Sequence, residues 1–256
     1  MQKRFLSFPL SVAAVTLAFS TSVVSADTIT VSAAASLTDA FKEIAQEFEA
    51  RNPEDKVQLN FAGSGTLLQQ IDKGAPVDVF ASADEATMDK AEAGKLIVPG
   101  SRQVFVRNTL VLIQPAASMV KLDSLKALQA EGVQRIAVGN PDSVPVGRYT
   151  KLALEAAQQW SALQSKVIQT QNVRQSLDYV ARGEVDAGFV YGSDAALMKD
   201  KVKVSYVVPV EKPVSYPIAA IRGGKEATAA RFIELVASSQ GQDILARYGF
   251  QPAAGR

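Results

Sequence analysis

The chain has 256 residues, and its 27 Lys and Arg nearly balance its 26 Asp and Glu, so composition gives no reason to expect nucleic acid or an anionic membrane as a partner. The sequence contains neither Cys nor His, which excludes disulfides, zinc–cysteine sites, the Ser-His-Asp triad and His-based metal sites. Hydrophobic residues make up 47% of the chain and charged residues 21%, the proportions of a folded globular protein.

The first 26 residues have the pattern of an export signal. Lys3 and Arg4 form a basic start, Leu10 to Phe19 is mostly apolar, and Val24 to Ala26 supplies small residues ahead of a cleavage point. The apolar run is too short to span a membrane. We therefore predict a signal peptide over residues 1–26 and a soluble mature protein in the periplasm.

Strands alternate with helices along the mature chain, which predicts an α/β fold with parallel-type sheets. Apolar alternation predicts strands at 28–32, 57–61, 77–81, 103–114, 135–139, 185–191, 202–210 and 216–221, with an extended piece at 167–169. Helical spacing predicts helices at 37–48, 67–74, 83–94, 122–132, 148–160, 172–180, 227–237 and 240–248.

Two lobes fit this order of elements. Extended segments near Val106–Leu110 and Val208–Ser215 would join them, and the C-terminal helices would return to the first lobe. We predict that residues 27–107 and 210–256 form lobe I and that residues 108–209 form lobe II. Each lobe would be a sheet flanked by helices, with a ligand in the cleft at the carboxyl ends of the strands.

Ser36 marks the clearest of the turns that would meet in this cleft. It lies where a strand ends and a helix begins, so the first helical N–H groups lack partners and the helix dipole favours an anion. Two interpretations are open from this turn alone. Ser36 is an ordinary N-cap serine, or it is one half of an anion site.

Five positions at the predicted strand ends offer hydrogen-bond donors. Ser36, Ser64 and Tyr191 carry O–H groups, and Val146 and Val173 offer backbone N–H groups at helix starts. These turns hold no carboxylate pair and no Lys or Arg at the tip. Such a neutral set of donors suits an anion that is fully deprotonated and only accepts hydrogen bonds. The nearby Arg148 and Arg174 are predicted to face solvent or to pair with acids.

Five motifs occur in order over nearly the whole mature chain. They are Ala33 to Thr38, Gly74 to Asp84, Ala137 to Pro141 with Val144 to Gly147, Val190 to Ala195, and Arg247 to Phe250. With these motifs the chain resembles the periplasmic molybdate-binding proteins of ABC transporters. The resemblance implies a two-lobed type II binding protein that closes on tetrahedral molybdate or tungstate.

Carried over by motif, the ligands of the oxyanion would be Ser36, Ser64, Tyr191 and the backbones of Val146 and Val173. Molybdenum would enter only as the bound oxyanion, through the same residues, with no other cofactor. The resemblance further implies delivery to an ABC permease in the inner membrane, and we expect a monomer. The alternatives are a binding protein for another tetrahedral oxyanion, such as sulfate, and a serine hydrolase, which the absence of His disfavours.

Overall fold

The computed structural model describes residues 26–253. The predicted signal peptide therefore lies outside the described residues, except for Ala26. Among the helices of the described range, none combines the length and the apolar character that a bilayer crossing requires.

Strands and helices alternate through most of the described chain, as predicted. The strands are β1 (Thr28–Ala34), β2 (Lys56–Ala62), β3 (Val79–Ala81), β4 (Gln103–Asn108), β5 (Leu110–Pro115), β6 (Ile136–Gly139), β7 (Val167–Thr170), β8 (Ala187–Tyr191), β9 (Val202–Val207), β10 (Val214–Ala220) and β11 (Gln251–Pro252). The α-helices are α1 (Thr38–Arg51), α2 (Ser64–Asp72), α3 (Glu85–Ala93), α4 (Pro145–Ala156), α5 (Trp160–Leu163), α6 (Val173–Ala181), α7 (Gly192–Leu197), α8 (Glu226–Ala237) and α9 (Ser239–Arg247).

The strands form two separate sheets, one in each lobe. Sheet I has the order β11-β4-β10-β3-β1-β2, and sheet II has the order β7-β6-β8-β5-β9. The chain passes from sheet I to sheet II between β4 and β5 and returns between β9 and β10. This arrangement confirms the predicted α/β class with two lobes, each a sheet flanked by helices.

The sheets are mixed, so the prediction of parallel-type sheets was only partly right. Parallel pairing joins β1 to β2 and β3, and joins β6 to β7 and β8, but β10 is antiparallel to β3 and β4, and β5 is antiparallel to β8 and β9. The crossings explain the difference. The parallel strands end at the cleft, whereas a strand that has just crossed from the other lobe starts at the cleft and must run away from it.

Two predicted elements were wrong in detail. The long strand at 103–114 is interrupted at Thr109, because its halves belong to different sheets. The helix at 122–132 is reduced to a short 3-10 helix at Lys126–Gln129. Leu122 and Leu125 are buried ahead of this 3-10 helix and Leu128 is buried within it, and their spacing of three residues matches the 3-10 repeat better than the 3.6-residue repeat of an α-helix.

The C-terminal helices return to lobe I, as predicted. Phe232 of α8 packs edge-on against Phe41 and Phe48 of α1, with ring centroids 6.0 and 5.5 Å apart. All three rings are almost fully buried. This aromatic contact fixes α1, and with it the turn that precedes α1, against the core of lobe I.

Candidate anion-binding site

A small cavity lies between the lobes, at the carboxyl ends of the parallel strands. Its volume is about 10 Å³, far smaller than the usual pocket for an organic ligand. All five predicted donor residues line it, so the structure brings together Ser36, Ser64, Val146, Val173 and Tyr191. The remaining lining residues include the small residues Ala34, Ala35, Ala62, Gly63 and Ala83.

Ser36 lies in a 3-10 turn at Ala35–Leu37 that links β1 to α1. The N-cap of α1 is Leu37 and the N-cap of the 3-10 turn is Ala34, and neither makes a side-chain capping bond. The N-cap interpretation of Ser36 is therefore wrong. Its hydroxyl instead lies 3.0 Å from the hydroxyl of Tyr216, and the residue is buried.

Ser64 is the first residue of α2, directly after the β2 strand and Gly63. Its Oγ accepts a hydrogen bond of 3.0 Å from the backbone N–H of Ala83, and the side chain is fully buried. Because the serine oxygen is already an acceptor, its own proton is free to be donated to another group. The Ser64 hydroxyl can therefore donate its proton to a group in the cavity.

Glycines flank Ser64 because the other lobe passes very close to them. A Cβ on Gly65 would lie 2.6 Å from the carbonyl oxygen of Ser143, and one on Gly63 would lie 2.8 Å from the carbonyl oxygen of Gln171. The N–H of Gly65 donates to that Ser143 oxygen at 2.9 Å. The backbones of the two lobes are therefore in contact beside the cavity.

Val146 and Val173 lie in the first turns of two helices of lobe II. Val146 is the second residue of α4, after Pro145, and Val173 is the first residue of α6. Asn172 caps α6 by accepting the N–H of Gln175 at 3.0 Å. Because the first N–H groups of a helix have no intrahelical partner, these two positions present positive dipole ends to the cavity.

Tyr191 ends β8, and its side chain is almost fully buried. Its hydroxyl has no hydrogen-bond partner among the described residues. Burial raises its pKa well above the ordinary tyrosine value, and the neighbouring Tyr216 adds to this effect. The phenol therefore keeps its proton at neutral pH. A buried, unpaired O–H group is costly, so its position beside the cavity indicates a ligand.

The arginines near the cavity are paired with acids, as predicted. Arg148 of α4 donates from Nε to Asp84 at 2.7 Å, and Arg174 of α6 donates to Asp194 at 2.7 Å and to Asp39 at 2.8 Å. Asp84 and Asp39 belong to lobe I, so both arginines bridge the lobes. Their charges are compensated locally and do not provide a basic clamp.

Tyr216, Asn108 and Asp194 are buried polar residues near the site that the sequence reasoning missed. Tyr216 contacts Ser36, although 180 residues separate them in the chain. Asp194 accepts a hydrogen bond from Arg174. Burial raises the pKa of the Asp194 carboxyl to about 6, although the positive charge of Arg174 lowers it. The polar Asn108 and Thr109, which interrupt an apolar run, were the available signal for this region.

Comparison with known proteins places the chain in a family. The model for bacterial extracellular solute-binding proteins matches residues 29–251. The chain is 41% identical to the molybdate-binding protein ModA of Escherichia coli (strain K12) over 229 residues, which cover 87% of this chain and 88% of that protein.

Solved structures show the same fold. The periplasmic molybdate-binding protein of Azotobacter vinelandii superposes with a TM-score of 0.78 at 24% identity, covering 88% of this chain and 99% of that one. The sulfate-binding protein SubI of Mycobacterium tuberculosis reaches the same TM-score of 0.78 at 16% identity, covering 89% and 88%. The chain therefore belongs to the bacterial extracellular solute-binding proteins and, within them, to the group of the molybdate-binding protein ModA.

Proposed function

We propose that this protein captures molybdate, and also tungstate, and delivers it to an ABC permease of the inner membrane. The oxyanion would be held by the hydroxyls of Ser36, Ser64 and Tyr191 and by the backbone N–H groups of Val146 and Val173. The observation that supports this proposal is the buried Tyr191 hydroxyl, which lies beside a small cavity and has no hydrogen-bond partner within residues 26–253. The 41% identity to ModA of Escherichia coli supports the choice of ion.

The donor set accounts for selectivity against phosphate. Phosphate retains a proton near neutral pH, and that proton needs an acceptor. The cavity offers O–H and N–H donors, and one of the two acceptor sites of the Ser64 oxygen is already used by the N–H of Ala83. Binding hydrogen phosphate would leave its proton without a partner in a desolvated site, which is unfavourable.

Sulfate is the second candidate ligand, because the sulfate-binding protein SubI shares this fold. Sulfate is fully deprotonated, so the absence of an acceptor does not reject it. It is smaller than molybdate, and donors fixed on rigid strand ends and helix starts would not all reach its oxygens. We therefore expect weaker binding of sulfate than of molybdate.

We further propose that the ligand shifts the protein toward a closed form. Ser36 and Ser64 would lie on lobe I (residues 27–107 and 210–256), and Val146, Val173 and Tyr191 would lie on lobe II (residues 108–209). Because only the closed form brings both donor sets to one ion, ligand binding favours it. Small-angle scattering should show compaction when molybdate is added, and unchanged dimensions would contradict closure.

We propose no enzymatic activity, a periplasmic location and a monomeric state. A hydrolase would need a base beside Ser36 or Ser64, and the sequence contains no His to act as one. A serine-directed phosphonate should therefore leave both serines unmodified. Labelling of either serine would support the hydrolase instead.

Calorimetric titration with molybdate, tungstate, sulfate and phosphate tests the proposed function. We expect tight binding of molybdate and tungstate, weaker binding of sulfate and no measurable binding of phosphate. Sulfate binding as tightly as molybdate would overturn the assignment of the ion.

A further inference from the structure

The hydroxyls of Ser36 and Tyr216 form a hydrogen bond of 3.0 Å, in which either oxygen could be the donor by geometry alone. The direction matters. If Ser36 donates to Tyr216, Ser36 presents lone pairs to the cavity and repels an anion. If Tyr216 donates to Ser36, the serine proton is free to point at the anion. The surrounding residues decide between these two directions.

Asn108 has a fixed amide orientation. Its Oδ1 accepts the backbone N–H of Thr109 at 2.9 Å and that of Ser193 at 3.4 Å, so the oxygen must face these two donors. The amide nitrogen therefore faces the other way. It donates to Ser193 Oγ at 2.8 Å and to the Tyr216 hydroxyl at 3.4 Å. An amide nitrogen can only donate.

The Tyr216 oxygen therefore accepts from Asn108, and its proton is available for Ser36. Burial holds the pKa of Tyr216 well above the ordinary value, so the phenol is a donor at neutral pH. The Ser36 oxygen accepts that proton and directs its own hydrogen to the cavity. Ser64 reaches the same state by accepting the backbone N–H of Ala83.

We propose that Asn108 and Tyr216 are positioning residues that make Ser36 a donor toward the cavity, and that they thereby favour a fully deprotonated oxyanion over a protonated one. This inference rests on the proposed function of the same cavity. Asn108 ends β4 at the crossing between the lobes. The residue that orients Tyr216 is therefore part of a connection between the two lobes.

A double-mutant cycle tests the inference with four proteins, namely the unmodified chain, Ser36→Ala, Tyr216→Phe and the double variant. Dissociation constants for molybdate and for inorganic phosphate are measured at neutral pH. Tyr216→Phe should weaken molybdate binding about 3- to 10-fold, the range for one hydrogen bond. It should also strengthen phosphate binding relative to molybdate, because the Ser36 oxygen becomes free to accept the phosphate proton.

In the Ser36→Ala background, Tyr216→Phe should cause no further loss, because the tyrosine acts through the serine. Tyr248→Phe is the matched control, since it also removes a tyrosine hydroxyl bonded at 3.0 Å to a side chain, that of Glu43, outside the cavity lining. It should leave both dissociation constants unchanged.

The outcomes separate the two proposals. If the unmodified chain does not bind molybdate, the proposed function is wrong. If it binds molybdate but Tyr216→Phe leaves the affinity and the phosphate ratio unchanged, the positioning role is wrong. Losses that multiply fully in the double variant would also overturn the inference, because they would show that Tyr216 acts independently of Ser36.

Discussion

Two concave regions of this protein differ in a way that shows how it would select an anion. The cavity between the lobes has a volume of about 10 Å³, whereas a groove at the opposite end of sheet I, the basal groove, has a volume of about 610 Å³. The exposed cations Lys95, Arg222 and Lys225 line the basal groove. Judged by size and charge alone, the groove would be the better site for an anion.

The interlobe cavity has instead what a desolvated anion needs. Its donors are buried and fixed at strand ends and helix starts, and the Tyr191 hydroxyl has no acceptor in the described part of the chain. In the basal groove, water and salt screen the exposed cations. Asp78, the acid of that groove, already accepts the backbone N–H groups of Thr30 and Lys225. Oriented donors in a dry site therefore favour oxyanion binding more than exposed positive charge does.

Placing a charge in the cavity should have the largest effect. Ser36→Asp would oppose a doubly charged oxyanion with a carboxylate, at about 4 kcal/mol per unit charge at 4 Å in a partly screened site. Molybdate affinity should fall by about 1000-fold or more. Ser36→Asn, which is nearly isosteric with Asp but neutral, is the control and should lose much less in calorimetry. Equal losses in the two variants would mean that bulk, and not charge, is responsible.

Removing one donor hydroxyl should have the next largest effect. Tyr191→Phe or Ser64→Ala should each weaken molybdate binding by about 1–3 kcal/mol, the range for a hydrogen bond to a charged partner. Tyr179→Phe, which removes a hydroxyl that accepts from Gln175 in α6, should leave the titration unchanged. Unaltered affinity in Tyr191→Phe would show that this hydroxyl does not contact the ion.

A smaller effect should appear in the pH dependence of stability, through Asp194. Burial raises its native pKa to about 6, above the ordinary aspartate value of 3.8. The folded chain therefore binds more protons than the unfolded chain between these values, and this group stabilises the fold as the pH falls from 7 toward 4. The slope is at most about 1.4 kcal/mol per pH unit.

Urea unfolding of the unmodified chain and of Asp194→Asn at several pH values measures this contribution. As the pH is lowered, the free energy of unfolding of the unmodified chain should rise relative to that of Asp194→Asn. A difference independent of pH would contradict the raised pKa, and would mean that Arg174 keeps the carboxylate ionised throughout.

The smallest effect should come from the basal groove. Arg222→Gln removes one of its exposed charges, and molybdate affinity should stay within about 2-fold of the unmodified chain, because exposed charges beyond a Debye length are screened. A large loss in calorimetry would move the anion site to the groove and reverse the comparison.

The sequence predicted the alternation of strands and helices and five of the residues that line the cavity, because both depend on local signals. Ser36 and Ser64 lie at strand-to-helix turns, and Val173 follows a capping Asn172. Local sequence patterns do not reveal contacts between segments that are distant in the chain. Tyr216 reaches Ser36 through the antiparallel pairing of β10, and no nearby residue signals that pairing.

The break at Thr109 in the strand predicted at 103–114 was equally invisible to local patterns. Residues 103–114 are apolar throughout most of their length and resemble one strand, but the two halves pair with different sheets. Asn108 fixes the interruption by accepting the N–H of Thr109. Which sheet a strand joins depends on its tertiary pairing. The same pairing determines whether the strand runs parallel or antiparallel to its neighbours.

In the proposed site neutral donors hold the anion, and one set of molybdate titrations that compares Arg148→Gln with Ser64→Ala tests this. Arg148 is already paired with Asp84, so its loss removes no positive charge that is free to act on the anion. If neutral donors hold the anion, Arg148→Gln should lose less affinity than Ser64→Ala. Abolished binding in Arg148→Gln, with unchanged binding in Ser64→Ala, would contradict it and establish a basic clamp.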